Sequence, residues 1–219
     1  VLPEKVLGEF YKYGKSSPKK YDNGIVLFTD FVSFSTISKS IAPIHLIKRL
    51  DNYFSKFDQI IEKYNLEKIK TIGDAYMVVA GISENVHRNE YLAMALAALE
   101  MRDFIRNEEI TSLAFGETPW KMRMGIHTGA LVAGVIGSKK FSFDVWGNTV
   151  NIAARTESFC APSELCATYD FISKIKDFFN VTEQGKIEIR KHGGLFEMFH
   201  INDLKSEYSL HGEGKIVNS

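Results

Sequence analysis

A chain of 219 residues with 45% hydrophobic and 25% charged side chains has material for one sizeable core, and its composition is neither fibrous nor disordered. The 27 Lys and Arg balance 27 Asp and Glu, which argues against a nucleic-acid binder working through a broad basic face but leaves room for a nucleotide site, where only local charge is needed. Cys160 and Cys166 are the only cysteines and have no histidine pair near them in sequence; neither zinc nor a disulfide framework is expected, and a reducing, cytoplasmic setting is.

The longest apolar stretch, Tyr91 to Leu99, is too short to span a bilayer, and no signal-peptide pattern opens the chain. Val1 in place of Met reads as a fragment, with any membrane, regulatory or sensor segment of the parent lying upstream. Residues 1–22 read as an arm or loop, 23–202 as one catalytic domain and 203–219 as a loosely held tail with Gly212 and Gly214.

The first strand is expected at 24–29, and a long helix from Pro43, a good first-turn residue. Its apolar positions Leu46, Ile47, Leu50, Phe54, Phe57, Ile60, Ile61 and Tyr64 recur at helical spacing. Strands follow at 66–72 and 75–81, jointed at Gly73-Asp74, then a helix over 88–107 with Leu92, Leu96, Leu99 and Phe104 as its core stripe. Two β-like runs, Lys121–Thr128 and Ala130–Ile136, are separated by Gly129; a helix spans 147–158 and a shorter one 168–177, and β-like runs occupy 181–190 and 195–201. Strand-helix-strand-strand-helix-strand is the split βαβ, ferredoxin-like order, so the fold class is α+β with a C-terminal α/β elaboration.

Two aspartates sit in apolar strand-like runs. Asp30 ends Ile25-Val26-Leu27-Phe28-Thr29, and Asp74 lies between Lys70-Thr71-Ile72-Gly73 and Ala75-Tyr76-Met77. A carboxylate there is costly to desolvate unless it meets water, a cation or a hydrogen-bond partner, and two on neighbouring strands suit hard cations such as Mg²⁺. The alternatives are local: Asp30 and Ser33 capping a turn, and Gly-Asp as ordinary hairpin chemistry. Val32, Ser33, Phe34 and Ser35 start a helical turn whose amides suit a phosphate. Lys70 is four residues before Asp74, a rim lysine or a reader of a ligand acceptor; Asp144 is a further carboxylate among bulky apolar residues, or a turn aspartate. Asn151 and Arg155, four apart, share one helix face, with a guanidinium fork suited to phosphate oxygens. Gly129, Gly134 and Gly137 form no P-loop, since no Gly-Lys-Ser/Thr follows, and the histidines lack HExxH spacing.

Taken together, three ordered blocks resemble the catalytic domain of class III nucleotidyl cyclases: Phe28-Thr29-Asp30-Phe31, Lys70 to Met77, and Phe143-Asp144-Val145-Trp146-Gly147-Asn148-Thr149-Val150-Asn151-Ile152-Ala153-Ala154-Arg155. The resemblance runs from about Gly24 through Phe199 and is nearest to homodimeric bacterial-type adenylate cyclases. It implies that Asp30, Asp74 and the Phe31 carbonyl hold two Mg²⁺ or Mn²⁺ per site, that Lys70 and Asp144 select adenine, that Asn151 orients the ribose, and that Arg155 stabilises the transferred phosphate. It also implies ATP as substrate and a homodimer with two interface sites, each built from the aspartates of one copy and the Lys70/Asp144/Asn151/Arg155 set of the other. One departure stands out. Where many members have Lys-Gly-Lys-Gly, this chain has Arg190-Lys191-His192-Gly193; either Arg190 or Lys191 reaches the phosphates instead, or that contact is weaker and depends on pH.

Overall fold

The computed structural model describes residues 17–82, 88–137, 141–189 and 194–209. Eight strands form one sheet: β1 (Lys19–Phe31), β2 (Glu67–Ile72), β3 (Ala75–Ala80), β4 (Met122–Ile136), β5 (Ser142–Trp146), β6 (Leu165–Thr168), β7 (Phe179–Ile189) and β8 (Gly194–Leu204). Among the described residues five α-helices accompany them: α1 (Phe34–Ser40), α2 (Pro43–Lys63), α3 (Arg88–Ala114), α4 (Asn148–Phe159) and α5 (Tyr169–Ile175). The sheet order is β2-β3-β1-β4-β6-β8-β7, with β5 paired to β4. Its first four strands are antiparallel throughout, which is the expected split βαβ core. The elaboration begins where β6 joins β4 in parallel, followed by the β7–β8 hairpin.

Strand alternation sorts side chains to the two sheet faces. Ile25, Leu27 and Phe31 of β1 join Tyr76, Val78, Met122, Met124 and Ile126 in the larger core. Val26, Phe28, Met77, Val79, Leu131 and Ala133 point the other way, onto Ala153 of α4. Being covered on both faces, β1 reads as an unbroken apolar run rather than an alternating one. Asp30, one residue beyond Thr29, therefore falls on the α4 side.

Several expectations change. The first strand starts at Lys19, so part of the expected arm belongs to the sheet. The runs at 121–128 and 130–136 are one 15-residue strand that continues through Gly129, where a Cβ would lie 2.8 Å from Thr149 Oγ1. Ile47 of the expected α2 stripe is exposed. In α3 the deepest residues are Met94, Ala95, Ala97, Ala98, Met101 and Ile105; Leu92, Leu96 and Phe104 pack only at the edge. The tail to Ser209 is held: Leu204 is buried in β8, and the Tyr208 ring lies 5.0 Å from that of Phe178. Where no disulfide framework is expected, Cys160 and Cys166 are joined as a disulfide.

An aromatic cluster fixes the exit of β1. The Phe31 ring lies 5.0 Å from Tyr53 and 5.2 Å from Trp120, both fully buried, and Trp120 stacks on Tyr53 while Arg49 covers its face at 4.7 Å. Such aromatic contacts contribute about 0.5–1.5 kcal/mol each beyond area burial. They hold the backbone on which Asp30 stands.

Candidate active site

Asp74 sits in the two-residue joint of β2 and β3, beside Gly73 at φ 64, a conformation glycine adopts freely. Its carboxyl reaches Asp30 closely enough for one to hydrogen-bond the other. Burial first, and then the charge of Asp30, push Asp74 up to about 6, while its own amide and that of Phe31 pull the other way. Two acids crowded in this way disfavour being charged together, and two carboxylates, with the Phe31 main-chain carbonyl expected beside them, make a set of hard oxygens. That set fits Mg²⁺ or Mn²⁺.

Sequence reasoning missed the groups behind Asp30. Arg123 is its cross-strand partner on β4, with Nη2 3.5 Å from Asp30 Oδ2. Arg123 Nε lies 3.0 Å from Glu157 Oε1, an ion pair without hydrogen-bond alignment. Glu157 is only 6% exposed, and burial pushes its carboxyl up to about 7, against the opposing pull of Arg123. The signal for Arg123 was a lone cation inside the apolar run Met122-Arg123-Met124. Glu157 lay hidden two residues beyond Arg155, on the opposite side of the helix.

The other candidate set gathers around β5 and α4. A register shift in β2 between Lys68 and Lys70 accompanies the approach of Lys70 Nζ to Asp144 Oδ2, 2.5 Å away. Asp144 does not cap α4: it lies within β5, 9% exposed, its Oδ1 accepting the Val145 amide at 2.9 Å. Helix α4 is preceded by its N-cap Gly147, φ 137, where a Cβ would press on Ala130 O at 3.2 Å; Thr149 Oγ1 then donates to that oxygen at 2.6 Å. The far end of α4 sits on Gly125, whose Cβ would fall 2.1 Å from the Glu157 amide nitrogen. With Ile152, Ala153, Thr156 and Glu157 turned inward, Asn151 and Arg155 face outward and exposed.

The expected phosphate loop is altered in one respect. The Val32 amide donates to Lys121 O at 2.8 Å and is not available to a ligand. Ser33 adopts φ 57, ψ 30 and makes no side-chain cap; the first main-chain bond of α1 is made by Thr36, ahead of which stand the amides of Ser33, Phe34 and Ser35. Arg190 and Lys191, with His192, lie outside the described residues. Among the described residues no helix is long and apolar enough to cross a membrane.

Comparison with known proteins decides the family. Residues 16–203 match the family model described as adenylate and guanylate cyclase catalytic domain. The chain belongs to this class III nucleotidyl cyclase family. The family is one of lyases that cyclise nucleotides and use divalent metals, and cyclases of both purines match. An adenylate cyclase of Mycobacterium tuberculosis is 37% identical over 174 residues, covering 80% of this chain and 38% of that protein. The guanylate cyclase soluble subunit beta-2 of Rattus norvegicus is 34% identical over 207 residues, covering 94% of this chain and 30% of that protein. The chain thus spans about a third of the length of these curated cyclases. Among solved structures, the adenylyl cyclase CyaB from P. aeruginosa superposes with a TM-score of 0.80 at 25% identity, covering 86% of this chain and 97% of that one.

Proposed function

We propose that this domain is an adenylate cyclase that converts ATP to 3′,5′-cyclic AMP and pyrophosphate at two sites in the interface of a homodimer, on the cytoplasmic side where ATP is supplied. The observation that carries the choice of purine is the Lys70–Asp144 pair, a donor and an acceptor held side by side. Adenine offers an acceptor at N1 and a donor at N6, matching lysine and aspartate respectively; guanine offers the reverse at N1 and O6. Guanylate cyclase is the second reading, since guanylate cyclases are among the relatives.

In this reading Asp30, Asp74 and the Phe31 carbonyl hold two Mg²⁺ or Mn²⁺. Bound there, the ions supply Lewis acidity at the ribose 3′-hydroxyl and charge neutralisation at the β- and γ-phosphates. The ribose attacks its own α-phosphorus, so no protein nucleophile is required. Asn151 orients the ribose from the partner copy, and Arg155 meets negative charge developing on the transferred phosphate. Arg123, beside Asp30, brings a guanidinium to the polyphosphate, and the amides of Ser33, Phe34 and Ser35 offer further donors. Arg190 or Lys191 takes the terminal phosphates. Exposed Ile72, Trp146 and Phe141, close in sequence to Asp74 and Asp144, supply apolar surface for the partner copy.

Purified chain with Mn²⁺ is expected to form cyclic AMP from ATP well above cyclic GMP from GTP; the opposite ratio would select the second reading. Mixing inactive Asp74→Ala chains with inactive Asn151→Ala chains tests the shared site. Random exchange makes about half the dimers mixed, each with one intact site, so about a quarter of wild-type activity should return. No recovery despite demonstrated exchange would place each site within one protomer.

A further inference from the structure

Cys160 and Cys166 are six residues apart and buried, at 4% and 1% exposure, and a histidine from far along the chain meets them. Cys166 of β6 and His200 of β8 are cross-strand partners, with Sγ 3.5 Å from the ring Nδ1. Cys160 is the C-cap of α4, and its sulfur and those two donor atoms all lie within 4.8 Å of one another. An acid stands near: Glu164 Oε2 is 3.9 Å from His200 Nδ1, while its other oxygen pairs with Arg106 at 3.0 Å. Ile152, Ile187, Ile189 and Met198 close the surroundings against water.

We propose that Cys160, Cys166 and His200 form a second metal site, for a soft divalent ion such as zinc, available when the two sulfurs are reduced and closed when they are joined. Tetrahedral zinc with bonds of about 2.3 Å to sulfur and 2.0–2.1 Å to nitrogen requires a sulfur–nitrogen separation of about 3.5 Å. The Cys166–His200 separation already has that value. Glu164 stands outside this three-donor cluster, near His200 alone, so the fourth position is left to a water. Two thiolates and an imidazole favour zinc over the hard ions suited to Asp30 and Asp74.

The two states interconvert with balanced chemistry. A dithiol reductant gives two electrons and two protons to the S–S bond, becoming a cyclic disulfide itself, and zinc then displaces both thiol protons as two Zn–S bonds form. In the reverse direction hydrogen peroxide takes two electrons from the two thiolates and two protons from solvent and leaves as two waters; the sulfurs join and the ion is released.

The test uses cobalt(II), then zinc, with the whole chain. Reduced chain is expected to take up one cobalt per protomer with intense thiolate-to-metal absorption, lost on adding one equivalent of zinc. Disulfide-bonded chain and Cys166→Ser should show none, whereas Asp30→Asn should keep the band, separating this site from the proposed catalytic one. Absence of the band in reduced wild-type chain, or its survival in Cys166→Ser, would overturn the proposal. Should Cys166→Ser fail to fold, the reduced and oxidised wild-type chains make the same comparison without a substitution.

Discussion

Asp74 and Asp144 are the same residue type in similar places, at the end of a strand or within a short one, and they meet opposite surroundings. Asp74 faces another carboxylate and is pushed up to about 6; Asp144 has a lysine amine 2.5 Å away. The first has a second acid where the other has a base, and in the proposed reading suits an ion from solution. The second is already balanced and can only trade its partner for a ligand group with the same hydrogen-bond pattern. Charge balance thus separates the proposed ion site from the proposed recognition site when sequence alone shows only two acids in apolar runs.

The largest effect comes from removing the unbalanced side. Asp74→Ala should lower cyclic-nucleotide formation by at least about 10²-fold, the scale of losing one charge-stabilising contact, measured at saturating Mn²⁺. Retained activity would remove the ion-site half of the contrast. Reversing the balanced side is next: Lys70→Glu with Asp144→Asn should shift the ATP-to-GTP preference by at least about 10²-fold, since each mismatch strands a buried polar group. An unchanged ratio would mean the pair is only a structural ion pair.

The seat of α4 comes third. Gly125→Ala drives a methyl into the Glu157 backbone and should cost about 1–3 kcal/mol in urea unfolding, with activity falling as Arg155 shifts. The smallest effect is on stability against pH. Because the fold raises Asp74 from 3.8 to about 6, the native state holds that proton more tightly than the unfolded one. Without metal, its contribution to stability therefore falls as pH rises from about 4 to about 6. Asp74→Asn should flatten that part of the thermal-unfolding profile in chelator. Mg²⁺ at pH 7 should raise the wild-type melting temperature and leave the variant unmoved.

Most of the core was legible because local chemistry dictates it. Pro43 opens α2, Gly73 turns β2 into β3, and the run around Val26 and Leu27 is buried on both faces. Four-residue β6 is too short to carry a period, and Gly129 reads as a break although β4 runs through it because Thr149 needs the space. The site residues that could be named lie in contiguous blocks. Arg123, Glu157 and His200 could not be, since each is defined by a neighbour 34 to 93 positions away, through register and helix seating. The Cys–His cluster is the plainest case: two cysteines without a local histidine look inert until β6 and β8 pair.

Helix α4 is fastened at its first turn to the Ala130 carbonyl, pressed at its last turn onto a bare glycine, and stapled by sulfur just beyond. A plate so bolted has little freedom to pivot inside its own subunit. In the proposed homodimer, such a seat favours control by swivelling whole copies against each other, with Asn151 and Arg155 carried as fixed fittings on the moving body.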